Sequence, residues 1–173
     1  MAEGMTLIQS IINTSSAATI TFSSIPQTYS HLCLIYSLST SDGAWQDMRI
    51  RPNGDSTSAN FKYRGMSGYM SGASNAAVAF SSGSYDGLLA DYEGMVRYQG
   101  DQGAVFYLFN YTSTTDYKLT ISRSTNQTSP YYGVDMNSSL WRSTAAVNSL
   151  TVAPGSVTPG VGSFCSLYGI KGA

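Results

Sequence analysis

The chain has 173 residues with a formal net charge of −1, and only 11% of them are charged, against roughly 25% in ordinary globular domains. Its 9 basic residues are spread along the chain rather than clustered, which argues against direct binding of nucleic acid, and no stretch reaches the roughly 20 apolar residues of a membrane-spanning helix. Two cysteines, Cys33 and Cys165, and a single histidine, His31, are too few for a structural zinc site, so neither metal nor cofactor is expected and the thiols read as buried core residues.

Polarity is supplied instead by Ser, Thr, Asn, Gly and 13 Tyr, a composition that suits strands and turns rather than long helices. The N-terminus shows no basic segment followed by an apolar run, so no secretory signal is expected, and Met1 to Gln9 reads as a docking arm. Strands are expected over Thr6–Ile12 and Ala18–Phe22, joined by the polar turn around Asn13 to Ser16. In His31 to Ser39, Leu32, Leu34, Tyr36 and Leu38 share one face while Cys33 and Ile35 lie on the other, the mark of a central strand. Met48-Arg49-Ile50-Arg51 alternates and ends in the tight turn Pro52-Asn53-Gly54-Asp55.

Phe61 to Arg64 alternates again, and the Gly, Ser and Ala-rich stretch from Met66 to Gly87 reads as a long loop or a loose edge hairpin. Leu88 to Glu93 offers one short helical turn between Gly87 and Gly94. Ala104 to Tyr111 is a heavily apolar strand. After it Tyr117, Leu119 and Ile121 alternate with Lys118, Thr120 and Ser122, and Asn148–Val152 and Phe164–Ile170 complete the set. About eight to ten short strands punctuated by turns predict one all-β domain over residues 1–173, an antiparallel, jelly-roll-like β-sandwich with little or no helix.

The residues for chemistry are sparse. A Ser-His-Asp centre would have to use His31, which stands at a strand entrance. Paired carboxylates could in principle hydrolyse a glycoside. Yet Asp42, Asp47, Asp55, Asp86, Asp91, Glu93, Asp101, Asp116 and Asp135 mostly stand in turn-like settings, where Asp bonds its own backbone. No catalytic residue is assigned and the chain is expected not to be an enzyme. The candidate contact residues are the aromatics placed in or near loops, Trp45, Tyr69, Tyr85, Tyr131 and Tyr132, whose large rings could anchor a protein interface or stack on sugars.

A family comes into view in the last third. Trp141-Arg142-Ser143-Thr144-Ala145-Ala146-Val147 leads into Asn148–Val152, and the chain closes on Phe164-Cys165-Ser166-Leu167-Tyr168-Gly169-Ile170-Lys171-Gly172. This pairing resembles the ending of a broad group of small bacteriophage virion proteins, in which a Trp-x-Ser segment precedes a strand and a Ser-Leu-Tyr-Gly-Ile strand ends the chain. Phe22 to Leu32 is similar to that group's entry into its first long strand, and Arg51-Pro52-Asn53-Gly54-Asp55 with Phe61 and Tyr63 to its following hairpin. Asp91 to Tyr98 departs from the more basic stretch the group carries there, so no ligand role is carried over to it.

The resemblance implies a virion structural protein. Its first form is a capsid decoration, or cement, protein: a homotrimer on the outer capsid surface, bound to the major capsid protein and assembled in the host cytoplasm. The alternative is a tail-appendage or receptor-binding domain that recognises a cell-surface glycan. The lack of heptads or of any repeat that would build a fibre shaft favours the first.

Overall fold

The computed structural model describes residues 4–15, 19–39, 47–71, 74–75, 79–91, 102–128, 131–155 and 158–172. Among these residues period-two patterning becomes thirteen strands: β1 (Met5–Ile12), β2 (Ile20–Phe22), β3 (His31–Leu38), β4 (Met48–Pro52), β5 (Phe61–Ser71), β6 (Ser74–Asn75), β7 (Ala79–Gly83), β8 (Leu88–Asp91), β9 (Gln102–Phe109), β10 (Lys118–Thr128), β11 (Tyr131–Trp141), β12 (Leu150–Pro154) and β13 (Phe164–Ile170). The only helical element among the described residues is a 3-10 turn at Ser58–Asn60.

The strands form two antiparallel sheets. The broad, nine-stranded sheet runs β1-β13-β3-β9-β10-β11-β5-β6, with β7 also paired to β5, and the small sheet runs β2-β12-β4-β8. Within this order β1-β13-β3-β9 faces β2-β12-β4-β8, first strand beside last and second beside next to last, with the chain crossing from sheet to sheet. That is the connectivity of the eight-stranded jelly roll. The remaining strands β5, β6, β7, β10 and β11 are insertions that widen the broad sheet beyond β9. The fold is therefore an all-β sandwich built as a jelly roll with an extension.

The jelly roll holds the apolar core. Leu32, Leu34, Tyr36 and Leu38 of β3 point inward beside Phe106 and Leu108 of β9 and Cys165 and Leu167 of β13. They meet Phe22, Met48, Ile50, Leu88, Leu150 and Val152 from the small sheet. Cys33 and Cys165 are both buried and free. Cys165 lies opposite Tyr36 and Cys33 opposite Tyr168, so the two thiols occupy opposite faces of the sheet and cannot pair.

The motifs that carried the resemblance meet at one end of the sandwich. A Cβ on Gly169 would run into the Tyr29 ring, so only glycine lets that ring press on the last strand. Ser30 N–H donates to Ile170 O at 2.8 Å, and the Ser30 hydroxyl accepts from Gly172 N–H at 2.8 Å. Tyr111 Oη donates to Pro26 O, and Gln27 Nε2 donates to Ile25 O and Val147 O, each at 2.9 Å. Asn53 and Gly54, both at positive φ, make the expected tight turn, closed by Asp55 N–H to Pro52 O at 2.9 Å. Asn53 Oδ1 then accepts from Asn148 and Ser149 N–H, while Asp55 Oδ2 accepts from Trp141 Nε1 at 2.8 Å and from Asn60 Nδ2. These residues are staples of the fold.

Several expectations are revised. The turn after β4 does not close a hairpin, because β4 pairs with β12 and β8 while the chain passes to β5 in the other sheet. Leu88 to Asp91 is a strand rather than a helical turn, drawn into sheet pairing with Met48 to Ile50. The small-residue stretch after Met66 is the edge hairpin, since β5 continues to Ser71 and pairs with β6 and β7. From Met5 onward the expected arm is strand β1, paired along its length with β13. Residues 1–3 lie outside the described residues.

Candidate functional site

The two halves of the broad sheet have opposite patterning. On β10 and β11 most inward residues are small and polar, Thr120, Ser122 and Ser124, then Asp135, Asn137 and Ser139, and Ser67 of β5 joins them, all buried, whereas Trp141 of β11 and Phe61 of β5 belong to the apolar core and Tyr63 is buried next to them. Lys118 is fully buried as well. Its Nζ donates to Ser113 O and Asp116 O, both at 2.7 Å, and to Thr144 O at 3.4 Å, while burial, partly offset by Asp116, holds its pKa below the usual lysine range. Strand β8, the edge of the small sheet, lies on this polar carpet. Ser139 Oγ accepts from Leu89 N–H at 3.1 Å, and the hydroxyls of Ser122 and Ser139 donate to Leu89 O at 3.4 Å. Serines thus satisfy the free backbone groups of a strand edge.

The same alternation throws the apolar residues outward. Leu119 and Ile121 on β10, Val134 and Met136 on β11, and Met66 on β5 are 40–59% exposed. At the opposite end of the face Met5, Leu7, Ile12 and Phe164 are exposed too. Between them β3 and β9 present half-buried His31, Ile35, Val105, Tyr107 and Phe109. Among the described residues, no element of this chain covers this face.

Its cations lie at the extension end: Lys62 and Arg64 on β5 and Arg123 on β10. The outward residues of β1 and β13, including Leu7, Ser10, Ser166, Tyr168 and Ile170, carry no charge. Shallow grooves of about 330 and 390 Å³ lie between β5, β10 and β11, with Met66 and Met136 in both.

Of the sequence-predicted contact residues, the paired strands bring Tyr69, Tyr131 and Tyr132 to neighbouring backbone positions, and Tyr85 lies apart from them. Tyr69 lies on β5 and Tyr131 and Tyr132 on β11, where register sets Tyr69 opposite Gly133 and Tyr132 opposite Met70. These three therefore sit on strands at the far end of the extension, not in loops. The expectation missed β11 because its Asp, Asn and Ser residues resemble a loop when no neighbour is known.

Tyr85 does lie in a connection, between β7 and β8, but it is engaged inside the molecule. Its ring stacks on Tyr63 at 5.1 Å between centroids and carries the Arg49 guanidinium at 4.8 Å. Burial, with the Asp47 carboxylate and Tyr63 beside it, pushes its phenol well above the ordinary tyrosine range. Trp45 lies outside the described residues.

The carboxylates take local roles. Asp86 bridges Arg49 at 2.6 Å and Arg51, pinning the β7–β8 connection to β4, and Asp47 joins Arg49 at 3.3 Å. Asp55 holds the turn described above, and Asp116 accepts from Ser113 Oγ at 2.8 Å. Asp135 is buried on the inner face of β11, and Asp91 closes β8. Asp42, Glu93 and Asp101 lie outside the described residues. His31 Nδ1 accepts from Asn110 N–H at 3.1 Å, and its ring meets Phe109 edge-on, neither contact involving a carboxylate. The described residues contain no cluster of three or more His, Cys, Asp or Glu that could hold a metal ion.

No protein-family model and no curated protein matches the chain. Among solved structures it was compared with a candidate pore-forming toxin from Bacteroides vulgatus. The two are 9% identical over 91% of this chain and 60% of that one, with a TM-score of 0.09, too low to bear on fold or function.

Proposed function

We propose that this chain is a non-enzymatic assembly module, a bacteriophage capsid decoration protein that forms homotrimers on the outer surface of the shell built by the major capsid protein. The observation that carries the reading is the uncovered apolar face of the broad sheet. A monomer's largest apolar patch is ordinarily about 300–600 Å², and larger ones mark interaction surfaces. The jelly-roll connectivity is compatible with this role without requiring it, because folds host many functions. The virion motifs add support through the resemblance, although in the structure they act as staples. The mechanism is mechanical. Many copies bridge neighbouring shell subunits, and modest contacts multiplied by copy number oppose internal pressure.

Quantitative mass spectrometry of purified particles tests this. A decoration protein is expected at on the order of hundreds of copies per particle, following the symmetry of the shell. A few tens or fewer would place the chain on a tail appendage, and absence from particles would end the virion reading.

A further inference from the structure

We infer that the outer face of the broad sheet is buried against second copies of this chain, with the extension end of one copy seated on the β1–β13 end of the next. The inference deepens the assembly reading by naming a surface and its occupant. It rests on that reading only for the purpose of assembly, not for the contact itself.

The first argument is register. A one-residue slip of β10 or β11 would bury Leu119, Ile121, Val134 and Met136 and expose the hydroxyls. The slip is barred at one end of the strand pair, where Lys118 sits in its cage of carbonyls opposite the buried Trp141. The apolar residues are therefore held outward, and a water-facing position is the costly one for them unless something covers it.

The second is area. The exposed large apolar side chains leave roughly 400 Å² uncovered at each end of this face, so a copy engaged at both ends covers about 800 Å² in all, divided between two contacts.

The third is charge, and it selects the partner. Packing extension on extension would set Lys62, Arg64 and Arg123 against their own copies, a like-charge juxtaposition that disfavours that pairing. The outward residues of β1 and β13 are uncharged, with Lys171 lying just past the end of β13, and they include Phe164 and Tyr168, on whose rings guanidinium groups pack favourably. A surface whose two ends complement each other makes a head-to-tail contact, which gives a ring where the rotation between copies closes and a filament where it does not.

The test uses the full chain in solution, by light scattering coupled to size exclusion. The wild type is expected at a multiple of 18.5 kDa. Ile121→Asp and Val134→Lys are each expected to give the monomer mass with an unchanged β-sheet circular dichroism spectrum. Thr21→Lys, on the exposed face of the small sheet, should leave the oligomer intact.

A second measurement does not depend on disruptive variants. Leu7→Cys and Val134→Cys lie about 24 Å apart within one copy, five strand spacings, so they cannot bridge internally. Mixed and mildly oxidised, the two variants are expected to form a disulfide with each other, and neither should form one alone. A wild-type monomer at about 100 µM, or cross-linking of Val134→Cys to itself, would overturn the inference. High copy number on particles together with a monomeric wild type would defeat this contact and the homotrimer while leaving the decoration of the shell standing.

Discussion

The jelly roll and its extension belong to one continuous sheet, yet they obey opposite rules. In β3, β9 and β13 the inward residues are Leu, Phe, Tyr and Cys, and stability comes from apolar burial against the small sheet. In β10 and β11, between Lys118 and Trp141, the described inward residues are Thr, Ser, Asn and Asp while Leu119, Ile121, Val134 and Met136 face out, and β5 is mixed, with Phe61 and Tyr63 inward as well as Ser67. The first half is patterned to fold. The second is patterned to be covered from outside while resting on hydroxyl contacts within. A strand's alternation says that its two faces differ, but which face is the buried one depends on what else the sheet will meet.

The largest expected effect lies in the jelly roll. Phe106→Ala removes a fully buried ring and should cost about 3–5 kcal/mol by chemical denaturation, whereas Ser122→Ala on the inner face of the extension should cost about 1 kcal/mol. Equal losses at the two sites would erase the distinction between the halves.

Gly169→Ala comes next, at about 1–3 kcal/mol, because the added methyl meets the Tyr29 ring. Combining it with Tyr29→Ala should give a loss smaller than the sum of the two single changes, read as a coupling in a double-mutant cycle.

The smallest effect concerns the seam where the β7–β8 connection is tied to β4. Burial alone would raise the Asp86 carboxyl, but Arg49 and Arg51 outweigh it and hold the group below the ordinary carboxylate range. Its contribution is therefore complete above the unfolded-state value near pH 4 and disappears as pH falls through the lower folded value. Asp86→Asn should be less stable than the wild type at neutral pH, and its melting temperature should fall less between about pH 5 and pH 2. Parallel pH profiles would show that the ion pairs contribute nothing to closing the seam.

Much of the jelly roll was legible in the sequence. β3, β4, β9 and β13 stand where apolar alternation put them, within a residue or two, because each packs on a core of its own kind. The extension was not. Asn137, Ser138 and Ser139 signal a turn unless a partner strand is known, and only pairing with β5 and β10 makes them strand. The candidate site stayed hidden because the loop aromatics were weighed first, while the surface proposed here is made of alternate aliphatic residues on strands. The alternation of Leu119 and Ile121 with Thr120 and Ser122 was visible. Its direction, apolar side outward, required the neighbouring strands.

The lysine enclosed at the start of β10 has a practical consequence. The chain has three lysines, and acylating reagents should modify the exposed Lys171 readily while sparing Lys118, whose ammonium hydrogens are committed to main-chain oxygens. Acylation there would require the strand to lift from its loop. The rate at which Lys118 takes up a tag would then be a clock for breathing of the extension, read by peptide mapping.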